Sequence, residues 1–542
     1  MAMFRRQPKE GIETGEIPAV GRIGRSSLEK GRTADRSLTI FKSFALAALM
    51  AITLYGMFDR GLFGVERWLP VAASILGLLF IALFVAHYFA DVPKIVWVLV
   101  GFLAVLVAIK GLSLSWTISR ADTVQELLRS SMYLATFALA AASLSSRRLV
   151  GPFIDGMSLL AGAVAGYGVL QKTNPVEYPA NTPDGVRVGS TLEYANTAAV
   201  VLGMGIALGL GRMTQLRNPI VRGLYAALIL VFGAILYFTF SRGGMLALGV
   251  GLAVLFAVGG SRLQMFTNLL LICGPLAWLT GRAQDLDSFF SYVSDDSLRA
   301  TDGQAFRTDL VIAVLAAFLL QVGYAVLVER YELVPAVRRY LGAAAAAAVL
   351  VGIGLLGYLV ASQQIEKGGL FGTFATGIDK PERANERLTS LSSNSRSKYW
   401  GVAWEEWKEH PLTGTGAGTF HYTWLENRPG FGGARQVHNV YLEQGTETGI
   451  VAFLALAGFA ALVVGYATQA AWQATGERKV LLAGLTGAVV VYLVSSALEW
   501  HWYIPPSTIY FFILAGVTIK LAAGTPAFSS SDETSERTLT TA

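Results

Sequence analysis

Charge is what this chain lacks most. Of its 542 residues only 15% are Asp, Glu, Lys or Arg, against about 25% in an ordinary soluble domain. Mean hydropathy is correspondingly high, at +0.50. Such a shortage excludes a string of water-facing domains of roughly 150 residues each, which length alone would otherwise suggest. Cysteine is almost missing too. The single thiol, Cys273, excludes an internal disulfide and a cysteine zinc cluster, and its apolar surroundings read as those of a small buried side chain. The net charge of +6 does not point to nucleic acid, because the basic residues are scattered among short loops and form no stripe interleaved with aromatics.

Apolar sequence is abundant instead, at 53% of the chain. A bilayer crossing takes about 20 mostly apolar residues, and fourteen such runs can be marked, from 40–57 to 504–522. The expected fold class is therefore an all-α polytopic membrane protein. The short pairs around 69–110 and 222–259 are the least well separated. Residues 1–38 carry eight Lys or Arg against five acids and read as a disordered cytoplasmic tail. Residues 524–542 read the same way, leaving a transmembrane domain over 39–523. No apolar core with a small-residue cleavage site precedes the first run, so a removable signal peptide is not expected.

With the N-terminus inside, the small basic turns at Arg147–Arg148, Arg212–Arg222, Arg262, Arg330–Arg339 and Arg478–Lys479 face the cytoplasm, as loop charge bias requires. Eleven spans then precede residues 362–437, which places that connection outside the cytoplasm. A loop this long is functional or disordered, and its Trp, Tyr, Gly and well-spaced charges argue for order, with short helices.

Several constellations fall on that outer side. His438 opens the run Val437–Gly449, and at helical spacing His438, Leu442, Gly445 and Gly449 share a face that lets a neighbouring helix come close. A neutral imidazole at the mouth of a bundle can accept a proton; a histidine hydrogen-bonded at an interface would look the same. Upstream, Arg396, Trp400, Trp404 and Trp407 form one stripe, as in a helix lying on the outer leaflet with its indoles at headgroup depth. The Ser and Asn residues before it are good N-caps, and free amides beside Arg396 would make an anion site. Pro411 to Gly418 reads as a tight Gly-rich turn without the Lys-Ser/Thr of a phosphate-binding P-loop. Ser241-Arg242-Gly243-Gly244 puts an arginine where it must pair or bind something, beside glycines that admit a close neighbour; an arginine reaching lipid headgroups is the plainer alternative. Asp285-x-Asp287 has the residue types of a divalent-cation site, although acids in a polar loop are usually solvated.

Taken in order with Arg187-Val188-Gly189-Ser190-Thr191-Leu192-Glu193-Tyr194-Ala195-Asn196, these motifs resemble the O-antigen ligase and O-antigen polymerase superfamily of bacterial glycan-assembly enzymes. The motifs that carry the likeness are Ser241–Gly244, Arg396-x3-Trp400, Pro411-x2-Gly414-x-Gly416-x-Gly418 and His438-Asn439-x-Tyr441-Leu442 with Glu447-x-Gly449, over roughly 185–465. The resemblance implies a GT-C-like helical bundle with one large extracytoplasmic loop and about twelve transmembrane helices, so the fourteen runs marked here depart from the family pattern and the expected count is about 12–14. It also implies a multi-pass glycosyltransferase of the bacterial cytoplasmic (inner) membrane, its active site facing the periplasm. The donor would be a glycan on undecaprenyl pyrophosphate and the acceptor a hydroxyl of a glycan or glycolipid such as lipopolysaccharide core, with no cofactor or metal. Carried over by motif, Arg242 and Arg396 hold the pyrophosphate and His438 activates the acceptor. Asn439, Glu447, Arg187 and Arg435 are further substrate-binding candidates. A polymerase would share the donor chemistry and differ in its acceptor. A transporter of lipid-linked glycans should show inverted repeats and charged, broken helices at the bilayer midplane, and no clear repeat is visible.

Overall fold

The computed structural model describes residues 23–330, 335–365, 383–390 and 392–524. Eleven helices come first: α1 (Ile23–Phe58), α2 (Val65–Phe84), α3 (Lys94–Leu112), α4 (Arg120–Ser143), α5 (Val150–Thr173), α6 (Ala195–Gln215), α7 (Pro219–Phe238), α8 (Arg242–Val258), α9 (Arg262–Ala283), α10 (Asp296–Arg330) and α11 (Pro335–Ile365). Two short helices follow in the long connection, α12 (Arg396–Glu409) and α13 (Phe420–Asn427). The chain closes with α14 (Val440–Gln473), α15 (Gly476–Ser496) and α16 (Pro505–Ala523). Helices are the outcome because no water is available in hydrocarbon to satisfy exposed backbone groups. Among the described residues there is no strand.

Twelve of these helices are long and apolar enough to cross a bilayer. The charged α4 and the 17-residue α8, both among the fourteen runs marked in the sequence, fall outside those twelve. One expectation shifts. Residues 23–38, assigned to a disordered tail, are helical and lead into the first span within α1. The rest of that tail (1–22), the tail after 524 and residues 366–382 of the long loop lie outside the described residues.

Contacts between loops fix the direction of each helix. On one face, Arg187 before α6 bonds the Thr239 carbonyl after α7 at 2.7 Å, and Arg299 near the start of α10 bonds the Pro175 carbonyl after α5 at 2.5 Å. On the other face Lys42 pairs with Asp91 between α2 and α3 (3.5 Å). There too Asp155 at the start of α5 pairs with Arg212 at the end of α6 (2.8 Å), and Gln215 meets Glu477 (3.0 Å). The helices these contacts join thus alternate in direction. The start of α1 and the end of α16 reach the second face, while the described part of 383–439 covers the first.

The centre of the bundle is α6, α15 and α16, whose side chains are buried almost throughout. Glycine lets them approach closely. A Cβ on Gly211 would sit 2.9 Å from the Gly484 Cα, and one on Gly487 would sit 2.9 Å from the Gly251 carbonyl oxygen. This rigid middle carries the connections that build the site. The covering loop has a small apolar core of its own, made by Ala403, Phe420, Trp424 and Val437.

Candidate active site

His438 lies just outside α14. Its φ of 61° is left-handed, so it is not on the helical face that spacing predicted; the helix starts at Val440 because Asn439 caps it. The Asn439 carboxamide oxygen accepts from the Tyr441 and Leu442 amides, both at 3.1 Å, which engages that side chain in the cap. The His438 Nδ1 is 3.1 Å from the Gln436 carbonyl. A carbonyl can only accept, so Nδ1 carries the proton and Nε2 keeps its lone pair. No hydrogen bond among the described residues involves Nε2. The ring is flanked by Tyr399 at 5.4 Å and Trp500 at 6.3 Å between centroids.

A carboxylate that sequence reasoning missed organises the neighbourhood. Glu499, in the connection between α15 and α16, is 2% exposed and forms an ion pair with Arg396. Its Oε1 also accepts from Asn196 Nδ2 at 2.7 Å, and its Oε2 accepts from the Tyr194 hydroxyl at 2.7 Å. Asn196 in turn accepts from Arg187 Nη2 at 2.6 Å. Trp500 donates to the Tyr194 oxygen at 3.0 Å. Arg396 directly, and Arg187 through the Asn196 amide, are therefore tied to one buried acid although they lie more than two hundred positions apart.

The electrostatics follow. Burial alone would raise the Glu499 carboxyl, but Arg396, His438, His501 and the Tyr194 hydroxyl outweigh it and hold the group below the usual carboxylate range. Burial pulls the His438 imidazole below its ordinary 6.5; Glu499 opposes that shift and Arg396 adds to it. His438 is therefore mostly neutral near pH 7. His501 is fully buried between Thr197 and Ser495, at 2.9 and 2.8 Å, and burial pushes it down to about 4. It is a neutral structural histidine.

Arg242 joins from another direction. Ser241 caps α8 by accepting from the Gly244 amide at 3.2 Å. Arg242 Nη1 reaches the Ser390 carbonyl at 2.5 Å, in the strand of loop that leads to Arg396. Its neighbour Gly243 lies beside Leu498, the residue before Glu499. Burial and the nearby Arg387 both lower the Arg187 pKa, so Arg387 belongs to the same basic cluster. Buried Nε atoms of Arg387 and Arg396 have no hydrogen-bond partner among the described residues. Clustered arginines with open donors match an anion with several oxygens.

The remaining expected residues sit elsewhere. Both Glu447 oxygens are used by backbone amides, Oε2 by Gly418 at 2.7 Å and Oε1 by Phe420 at 3.0 Å, so Glu447 anchors the Gly-rich turn. Arg435, itself largely exposed, is 3.7 Å from the mostly buried Asp122. The Trp stripe is divided: Trp404 is exposed, whereas Trp407 packs on Phe453 and against Gly445 of α14. Asp285 and Asp287 lie 3.9 and 3.8 Å from Arg282 and Arg383, which makes them ion-pair partners rather than a ligand pair. Glu406, Glu409 and His410 could share a metal ion, but they line the polar end of α12 away from the arginines, and His410 is 3.6 Å from Glu406.

Some of the missed residues left a trace in the sequence. Tyr194 and Asn196 close a motif already marked by Arg187. Glu499 is a lone acid in an otherwise apolar stretch, which by itself signals a partner, but nothing in its spacing names Arg396. No curated protein matches the chain. Residues 305–457 match the family model described as O-Antigen ligase, a segment that holds Arg396, the Gly-rich turn, His438 and Glu447. Over that segment the chain is similar to the O-antigen ligase family.

Proposed function

We propose that this protein transfers a glycan from undecaprenyl pyrophosphate to a hydroxyl of a glycan or glycolipid acceptor, on the periplasmic side of the bacterial inner membrane. The observation that carries the reading is the Glu499 hub. It gathers Arg396 directly and Arg187 through Asn196, within electrostatic reach of His438. Arg242 and Arg387 extend the basic wall. The loop charge bias supports the orientation.

The chemistry runs as a single displacement. The acceptor oxygen forms a bond to the anomeric carbon while the bond from that carbon to the phosphate oxygen breaks. The electron pair leaves with the pyrophosphate, where fixed guanidinium groups stabilise the developing charge. The acceptor proton passes to His438 Nε2, which its tautomer and depressed pKa leave available. Attack opposite the leaving group inverts the anomeric centre. Arginines supply the counter-charge, so no metal is required.

The test is transfer by the purified protein in proteoliposomes, from a lipid-linked glycan to each acceptor class in turn, with and without chelator. Chelator-resistant transfer that is abolished in His438→Ala and Arg396→Gln is expected. Full transfer by His438→Ala removes the base, and movement of the donor across the bilayer without bond formation replaces the enzyme with a transporter. Product length separates ligation of one glycan from repeated polymerisation.

A further inference from the structure

A polar cavity, of about 110 Å³, opens on the same face next to the His438 loop. Phe63, Trp68 and Tyr503 form its aromatic walls, and Gln125, Gln436 and four charged residues supply its polar lining. None of these groups belongs to the arginine cluster around Glu499. The floor is unusual for a structural void. Arg129, 7% exposed, and Trp68, 1% exposed, each present a buried N–H, Nε and Nε1, that has no hydrogen-bond partner among the described residues. Buried donors left open are costly, and both residues line the cavity, where a small shift of the wall would offer these donors to a ligand oxygen. The Arg129 guanidinium itself is fixed between the Trp68 and Tyr503 rings, 4.8 Å from each centroid, and pairs with Glu126.

We infer that this cavity binds one sugar ring of the acceptor. Asp122 and Glu126 balance Arg129 and Arg435, so the formal charge is zero and an anion would meet two carboxylates. A neutral polyol instead supplies oxygens to the open donors and C–H faces to the aromatic walls. The volume is below the roughly 150 Å³ that encloses benzene, so the cavity takes part of one sugar ring and the rest lies in its open mouth. Position adds the link to chemistry. The Gln436 side chain lines the cavity while its carbonyl accepts from His438 Nδ1. Phe63 at the mouth packs 5.9 Å from Trp500, whose ring is 6.3 Å from His438. A ring held here is linked to the proposed base through Phe63 and Trp500.

The acceptor role rests on the transfer reading, so binding and transfer are measured separately. Saturation-transfer NMR of the full chain in lipid nanodiscs is titrated with glucose, galactose, rhamnose and N-acetylglucosamine, and with inorganic phosphate as the anion probe. At least one sugar should saturate at concentrations on the order of 50 mM or below. Its affinity should fall at least about fivefold, the size of one lost hydrogen bond, in Trp68→Phe and in Gln125→Ala, and stay unchanged in Arg396→Gln. Gln125 is half-exposed, so that variant keeps the test open if Trp68→Phe does not fold. No saturable sugar signal, equal affinity in both variants, or saturation by phosphate in place of sugar overturns the inference. In the transfer assay both variants should raise the acceptor KM and leave the donor KM alone. An unchanged acceptor KM refutes the cavity and spares the transfer reading; sugar binding in a protein that transfers nothing keeps the cavity and refutes the transfer reading.

Discussion

Replacing Glu499 by Gln preserves shape and removes one charge, and the geometry allows the consequence to be worked out. The carboxylate is an acceptor at both oxygens, receiving Arg396 and Asn196 on Oε1 and Tyr194 on Oε2. An amide accepts at one atom only. If its oxygen takes the Oε1 position, the NH2 donates to the Tyr194 oxygen, which already receives Asn196 and Trp500, and the tyrosine proton loses its acceptor. If the amide is reversed, its NH2 faces the donors of Arg396 and Asn196. Either way a buried donor is orphaned, at about 1–3 kcal/mol. Loss of the charge pair adds to this, moderated because the Arg396 side chain is 21% exposed. We expect a stability loss of about 2–4 kcal/mol and, in the folded fraction, a fall in kcat of roughly 10–100-fold as Arg396 loses its fixed geometry. A third readout is independent of folding. Glu499 raises the His438 pKa, so its neutralisation should move the acid limb of the kcat–pH profile to lower pH. Thermal melting in detergent and steady-state transfer across pH 4–8 in proteoliposomes measure all three. An enzyme with wild-type kcat and an unmoved acid limb would refute the idea that this carboxylate organises the site.

The wild-type profile is itself informative: the neutral imidazole is the base, so activity should be lost as pH falls through a value below 6.5, and a limb above 6.5 would contradict the burial of His438. Glu447→Gln leaves either the Gly418 or the Phe420 amide without an acceptor, so melting should show a loss of about 1–3 kcal/mol with the donor KM unchanged; a large donor KM effect would make Glu447 a substrate ligand. Gly449→Ala places a methyl at φ 77° against the Leu412 carbonyl, and should cost more than about 3 kcal/mol, seen as lost membrane abundance; wild-type abundance and melting would refute the close packing. His501, at about 4 in the fold against about 6.5 unfolded, binds more protons when unfolded, so stability should decline as pH falls from 6.5 towards 4, by up to about 3 kcal/mol. His501→Gln should flatten that decline, and an unaltered slope would assign it elsewhere.

The fold was legible because the bilayer imposes a length and a composition on every crossing. Even α4, with Asp122, Glu126 and Arg129 in its first turns, and the short α8 were marked by their apolar remainder. Polar extensions were not: α1 begins at Ile23 and α10 at Asp296, well before the apolar runs at 40 and 309, because nothing in hydropathy distinguishes a helical polar turn from a loop. In the site, Arg242, Arg396 and His438 were readable as functional residue types on one side of the membrane. Their organiser was not, since Glu499 meets Asn196 and Tyr194 about three hundred positions away. Asn439 carried a local signal that points to its observed place: an Asn immediately before an apolar periodic run is an N-cap. The turn before it was hidden, and with it the left-handed backbone that takes His438 off the helix.

The two glycine-bearing motifs then acquire a common purpose. Gly414, Gly416 and Gly418 all have positive φ, at 59°, 110° and 79°, and Gly414 packs directly on the Glu447 backbone. Glu447 closes the same contact from the other side, its carbonyl accepting from Gly416 at 2.8 Å while its carboxylate holds Gly418 and Phe420. Gly449 breaks α14 where Leu412 crosses it, and the Ile450 amide bonds the Pro411 carbonyl at 2.9 Å. Residues 411–418 and 447–450 are thus one backbone-to-backbone clamp, too tight for a Cβ at Gly414 or Gly449. It joins the end of α12, whose first residue is Arg396, to the second turn of α14, whose cap follows His438. Neither motif touches the proposed donor site, yet together they set the distance between the arginine that would hold the leaving group and the imidazole that would take the proton. A reaction whose rate depends on placing two groups to within about an ångström depends on that clamp as much as on the groups themselves.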